Sequence, residues 1–216
     1  MRNYAILIDG GFAKRKLGTS LAPATADDFQ NLIVALKELP ELQGSLLHRV
    51  YYYDSTPLLS AHAKPLNGGK VEFANQQIAT RAQRLFENLW KLPHVALRLG
   101  ELSFNGWAVN TKVLDKAQGD SVVVRHEDLK PQITQKGVDM RIGMDIAALT
   151  LKKQVQTIVL VTGDSDFIPA MKFARREGAQ LYLAPLRHKI KPGMYEHSDL
   201  VLDFNLPARA HDTPGA

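Results

Sequence analysis

Tyr4-Ala5-Ile6-Leu7-Ile8-Asp9-Gly10-Gly11 opens the chain with an unbroken apolar run that an aspartate and two glycines close. A run without polar alternation reads as a strand buried on both faces, the habit of parallel sheets covered by helices. A second such run, Thr157-Ile158-Val159-Leu160-Val161-Thr162, ends in Gly163-Asp164-Ser165-Asp166 and is the strongest strand signal in the chain. These two runs decide the fold class.

Helical periodicity fills the spaces around them. Residues 26–39 place Phe29, Leu32, Ile33 and Leu36 on one side, behind a Thr25/Asp28 capping pair. Residues 75–90 align Ile78, Ala82, Leu85, Phe86 and Leu89, and residues 138–153 and 168–177 read as two further helices, the last ended by Gly178. Additional strands are expected at 47–54, with its three consecutive tyrosines, at 94–99 near an edge, at 180–184 and at 200–204. Between 100 and 136 the pattern weakens, with Val122, Val123 and Val124 as a short extra strand. Strands alternating with helices imply a mainly parallel sheet with helices on both faces, a three-layer α/β/α, Rossmann-like arrangement. One domain over 1–206 is expected, followed by a disordered tail over 207–216 where composition turns small and polar.

Bulk composition restricts the function. The 216 residues carry 27 basic and 22 acidic side chains, a net charge of +5 that tilts toward an anionic partner, nucleic acid first. Cysteine is absent, which removes disulfides, thiolate catalysis and cysteine-ligated zinc. The N-terminal apolar run is too short for a signal peptide, and no stretch has the length of a membrane span, so a soluble, cytoplasmic protein without a membrane partner is expected.

The acids carry the chemistry. In open α/β sheets, sites form beyond the carboxyl ends of the strands. Asp9 stands at that end of the first run, and Asp164 and Asp166 stand at that end of the second. Each alone is equally readable as a turn residue or helix cap, because Asp is common beside Gly and before helices. Three on one rim favour a functional role. Within 138–153, at about 100° per residue, Val138, Ile142, Asp145 and Leu149 share a narrow stripe, so Asp145 sits inside an apolar face and needs a partner. It is expected as a ligand or as an acceptor fixing the turn from Gly163 to Asp166. Asp139, in the first turn of that helix, has a helix-end role open to it as well as a ligand's. Carboxylates brought together need compensation, and a hard divalent cation, Mg²⁺ or Mn²⁺, supplies it with all-oxygen ligation. The chemistry that follows is metal-assisted phosphodiester hydrolysis.

Three blocks, Ile6-Leu7-Ile8-Asp9-Gly10-Gly11-Phe12, Lys136-Gly137-Val138-Asp139 with Asp145 six residues on, and Val161-Thr162-Gly163-Asp164-Ser165-Asp166-Phe167 followed by Pro169, resemble the bacterial NYN domain family in order and over nearly the whole chain. Those proteins are PIN-like ribonucleases with a compact α/β/α fold. The resemblance implies that Asp9, Asp139, Asp164 and Asp166 bind catalytic Mg²⁺ or Mn²⁺; Asp145 and Ser165 are expected in support on the reading of the residues themselves. It also implies RNA as the substrate, and the leading expectation is an endoribonuclease that prefers single strands. The family often has Asn within two positions of the first aspartate, where this chain has Gly10 and Gly11. A stretch of roughly thirty residues before Lys136 is longer than the family minimum and reads as a substrate loop.

Lys14-Arg15-Lys16, just after the first glycine turn, and Lys136, beside Asp139, read either as cations that offset the charge of an entering phosphate backbone or, equally, as ordinary solvated surface. Arg187-His188-Lys189 should reach the same rim from the strand at 180–184. Tyr51, Tyr52 and Tyr53 are expected to pack rather than to stack bases. Two other functions compete: a binding or regulatory module of the same fold without turnover, and a small-molecule phosphatase, which would lack its Asp-x-Asp pair because Gly11 occupies the second position. Oligomeric state is left unspecified, a homodimer being one option.

Overall fold

A computed structural model describes residues 2–115 and 119–206, so the tail expected over 207–216 lies outside the described residues. In chain order the elements are β1 (Arg2–Asp9), α1 (Gly10–Leu17), α2 (Ala26–Lys37), β2 (Ser45–Thr56), β3 (Ala61–Ala63), β4 (Lys70–Glu72), α3 (Gln77–Leu89) and β5 (Val95–Val109). They continue with α4 (Thr111–Asp115), β6 (Leu129–Lys136), α5 (Val138–Leu151), β7 (Thr157–Val161), α6 (Ile168–Arg176), β8 (Gln180–Leu183), α7 (Pro192–Glu196) and β9 (Leu200–Val201). The main sheet has seven strands in the order β6-β5-β2-β1-β7-β8-β9. β1 pairs in parallel with β2 and β7, and β8 in parallel with β7 and β9, while β6 runs antiparallel to β5. This is the mainly parallel, helix-flanked PIN-like α/β fold expected.

The two unalternating apolar runs lie side by side. Tyr4 to Ile8 of β1 pair residue by residue with Thr157 to Val161 of β7, and both strands are buried along that length. Alternate side chains face opposite layers. Ala5, Leu7, Tyr51, Tyr53, Ile158 and Leu160 join Val138, Ile142, Ile146 and Leu149 of α5 and Met171 of α6 in one core cluster. On the other side Tyr52 packs edge-on against Phe29 of α2, centroids 5.0 Å apart, and against Phe86 of α3. The Thr25/Asp28 capping box at the start of α2 has both halves in place.

By packing, the described residues fall into two compact units, 2–54, 85–99 and 138–206 forming the first and 55–84, 100–115 and 119–137 the second. The second has an aromatic core of its own, in which His62 stacks on Phe104 at 3.9 Å and Phe73 and Trp107 close around them. Three boundaries depart from expectation. β5 runs on to Val109 because β6, exposed along nearly its whole length, pairs with it. Val122, Val123 and Val124 form no strand and Val123 is 80% exposed. The strand expected over 200–204 is confined to Leu200–Val201.

Candidate active site

Asp9 ends β1 and starts α1. Its Oδ1 accepts the backbone N–H of Phe12 at 3.0 Å, an N-cap that converts the glycine turn into a helix. Gly10 cannot carry a side chain: a Cβ there would lie 2.5 Å from the Tyr53 carbonyl oxygen and 2.6 Å from the Tyr52 ring. The close passage of β2 thus requires glycine at position 10, whereas a Cβ at Gly11 would meet only ordinary contacts.

The second oxygen of Asp9 accepts the Thr162 hydroxyl at 3.0 Å, and the same hydroxyl oxygen accepts the backbone N–H of Asp164 at 3.1 Å. Asp164 in turn caps the short turn Ser165–Phe167, its Oδ1 accepting the N–H of Asp166 at 2.9 Å. Asp9 and Asp164 are therefore caps, and one buried hydroxyl ties them together. Thr162 was read only as the last residue of a strand, and nothing in its sequence setting marks it as the tie.

Asp9, Asp164 and Ser165 line an open cleft of ≈ 450 Å³ together with Phe12, Arg15, Lys16, Gly163 and His188. Burial pushes the Asp9 carboxyl above the usual carboxylate range, against the lowering effect of its Phe12 and Thr162 hydrogen bonds and of Arg15, and the charge of Asp139 raises it further. Asp139, at the start of α5, is raised by burial first and then by the charges of Asp164 and Asp166. Asp139 thus stands between Asp9 on one side and Asp164 and Asp166 on the other in the electrostatics of the site. Among the described residues none of them is in an ion pair. Their donors are hard oxygens with excess negative charge, the set a divalent cation takes. Yet among the described residues no three His, Asp or Glu side chains converge closely enough to enclose a metal ion.

The remaining expected residues are placed as follows. Arg15 and Lys16 reach the cleft, and Lys16 Nζ lies 5.8 Å from the Phe12 ring centre. Lys14 turns away to Asp54, 2.6 Å from its Oδ2. Lys136 ends β6 and belongs to the second unit, paired in register with Glu101. Asp145 is held differently from expectation. Instead of the turn from Gly163 to Asp166, its partners are the Tyr53 hydroxyl at 2.9 Å and Arg98 Nε at 3.1 Å. The Asp145 charge also pushes the buried Tyr53 hydroxyl further above its ordinary value, after the larger effect of burial. Asp54, which sequence reading passed over, is buried and accepts the Tyr52 hydroxyl at 2.8 Å.

No helix among the described residues is long and apolar enough to cross a membrane. An uncharacterized protein of Methanocaldococcus jannaschii is 24% identical over 115 residues, 53% of this chain. That match covers 47% of the archaeal protein, so the chain spans about half the length of the curated relative it matches. A crystal structure of a protein of unknown function from Vibrio parahaemolyticus superposes with a TM-score of 0.48 at 11% identity, covering 93% of this chain and 91% of that one. The family model of the NYN domain matches residues 18–194, a span that takes in Asp139, Asp164 and Asp166 and begins after Asp9. On that match the chain belongs to the NYN domain family, a nuclease-type family of PIN-like fold.

Proposed function

We propose that the protein is a Mg²⁺- or Mn²⁺-dependent ribonuclease that hydrolyses phosphodiester bonds within single-stranded RNA at the Asp9/Asp164 rim. One observation carries the reading: Asp9 and Asp164 line one open cleft together with Arg15 and Lys16, joined through the Thr162 hydroxyl, and neither has an ion-pair partner among the described residues. Asp9, Asp139 and Asp164 would hold the ion, with Asp166 beside them. Mg²⁺ keeps several waters and commonly takes only one or two protein carboxylates, so a closed three-acid cage is not required. Such an ion supplies the Lewis-acid charge that phosphodiester hydrolysis needs. Thr162 fixes the spacing of Asp9 and Asp164. Ser165 faces the same cleft with a hydroxyl able to donate to a phosphate oxygen, and Arg15 and Lys16 offset the backbone charge of the substrate. Asp145 supports Asp139 indirectly, by anchoring α5 to β2.

The test is degradation of a panel of RNA and DNA substrates in Mn²⁺ or Mg²⁺ by wild type and Asp164→Asn. Cleavage of RNA by wild type and its abolition in a folded Asp164→Asn protein are expected. An Asp164→Asn protein that cuts RNA as fast as wild type would overturn the site. The absence of three converging acids among the described residues favours a second reading, an RNA-binding regulatory module without turnover. RNA binding by wild type with no metal-dependent cleavage would select it.

A further inference from the structure

Beside the carboxylates, the cleft is lined by two rings. Phe12, buried on α1, meets the His188 ring edge-on, with centroids 5.7 Å apart and planes at 67°. His188 itself is exposed. The two rings abut the Asp164 turn so closely that a Cβ at Gly163 would overlap both of them. A histidine ring packed to this depth beside a carboxylate turn, and still open to solvent, calls for a reason.

The loop that presents His188 is built against backbone preference. Leu186 and Arg187 both adopt left-handed conformations, φ 48° and 60°, which residues with a Cβ rarely take. Buried Leu186 and Ile190 pin the loop on either side, and the His188 N–H donates to the Pro185 carbonyl at 2.8 Å. The Arg187 guanidinium is drawn off to the Asn205 side-chain oxygen. Of the basic triplet Arg187-His188-Lys189, the histidine is the member that lines the cleft. The strain presents a ring, not a charge.

We propose that His188, backed by Phe12, is the surface on which an unpaired nucleobase stacks when the phosphate next to it lies at the Asp9/Asp164 rim. An exposed ring serves any base because every base has a π-face, and it selects single strands because a paired base is already stacked. His188 is then a specificity-determining residue of the proposed nuclease site, and the inference rests on that reading for the position of the phosphate. RNA and DNA share this chemistry, so both are tested.

Binding of fluorescein-labelled single-stranded RNA and DNA oligonucleotides is measured by anisotropy in EDTA, where turnover does not intervene. Wild type, His188→Ala and His188→Phe are compared on intact oligonucleotides and on the same sequences with abasic positions. His188→Ala is expected to weaken binding of intact strands about tenfold. His188→Phe, which keeps a ring, retains wild-type affinity, and abasic substitution weakens wild type while leaving His188→Ala unchanged. Equal affinity of wild type and His188→Ala, equal weakness of His188→Phe and His188→Ala, or no binding by wild type overturns the proposal. Cleavage in Mn²⁺ is scored separately. A wild type that binds in this pattern without cutting removes the nuclease reading and leaves the stacking surface. One that cuts while His188→Ala binds normally does the reverse.

Discussion

Two sets of aspartates occupy the first unit, and they are treated in opposite ways. Asp54 and Asp145 each accept a hydrogen bond from a tyrosine hydroxyl of β2 and pair with a cation, Lys14 for one and Arg98 for the other. The rim acids Asp9 and Asp164 receive backbone N–H groups and a hydroxyl but form no ion pair among the described residues, and burial raises Asp9 and Asp139, with the charge of Asp139 adding to the first and the charges of Asp164 and Asp166 to the second. Paired charge anchors helices to the sheet. Of the rim acids, Asp9 is the one that burial penalises most, a cost that a bound cation would offset.

Removing acids from each set should break the contrast or sharpen it. Asp54→Ala leaves the buried Tyr52 hydroxyl and Lys14 without their acceptor and is expected to lower unfolding stability by about 3 kcal/mol, read by denaturant titration. Asp145→Ala strands Arg98 and Tyr53 at a wetter position, and a loss of about 2 kcal/mol is expected by the same titration. Thr162→Val keeps the shape of a fully buried side chain but deletes the hydroxyl between Asp9 and Asp164. Its cost of about 1 kcal/mol should be accompanied by a fall in metal-dependent cleavage larger than either framework change causes per folded molecule. If Thr162→Val cleaves normally, the tie between the two caps is structural only.

The smallest effect is a change of sign. A carboxyl whose folded pKa is raised contributes stability that is fully present below its unfolded pKa and lost as pH rises through the raised value. Asp9 therefore works against the fold at neutral pH. Asp9→Asn keeps a good N-cap, so its melting temperature at pH 7 should equal or exceed that of wild type. Its gain in stability between pH 7 and the raised range should be smaller than wild type's. A melting temperature clearly below wild type at pH 7 would move Asp9 into the framework set.

The fold was legible where burial is continuous, and the site where it is local to a strand end. β1 and β7 announce themselves because both faces are covered, and α2 because Thr25 and Asp28 are three residues apart. β6 was hidden because it is exposed and contains Pro131, an edge-strand residue with no apolar pattern. β3 and β4, three residues each, are too short for any period to show. Asp9 and Asp164 could be placed from sequence, since a strand end fixes them. The partners of Asp145 could not: Tyr53 is 92 residues away and Arg98 is 47, and only the folded sheet brings them to one carboxylate.

The three tyrosines of β2 create a problem of identity that their neighbours solve. A repeat of one residue gives no positional information to packing, since a strand displaced by one step puts ring in place of ring while exchanging the faces. Displaced one way, Asp54 would occupy the place of Tyr53 opposite Asp145, acid against acid. Displaced the other way, Tyr53 would take the place of Asp54, and Lys14 would find a phenol where its carboxylate had been. The framework aspartates thus act as reading-frame marks on an otherwise ambiguous strand. Because Tyr53 stands beside Asp9 in that frame and its carbonyl presses on Gly10, a misread strand would also disturb the first acid of the rim.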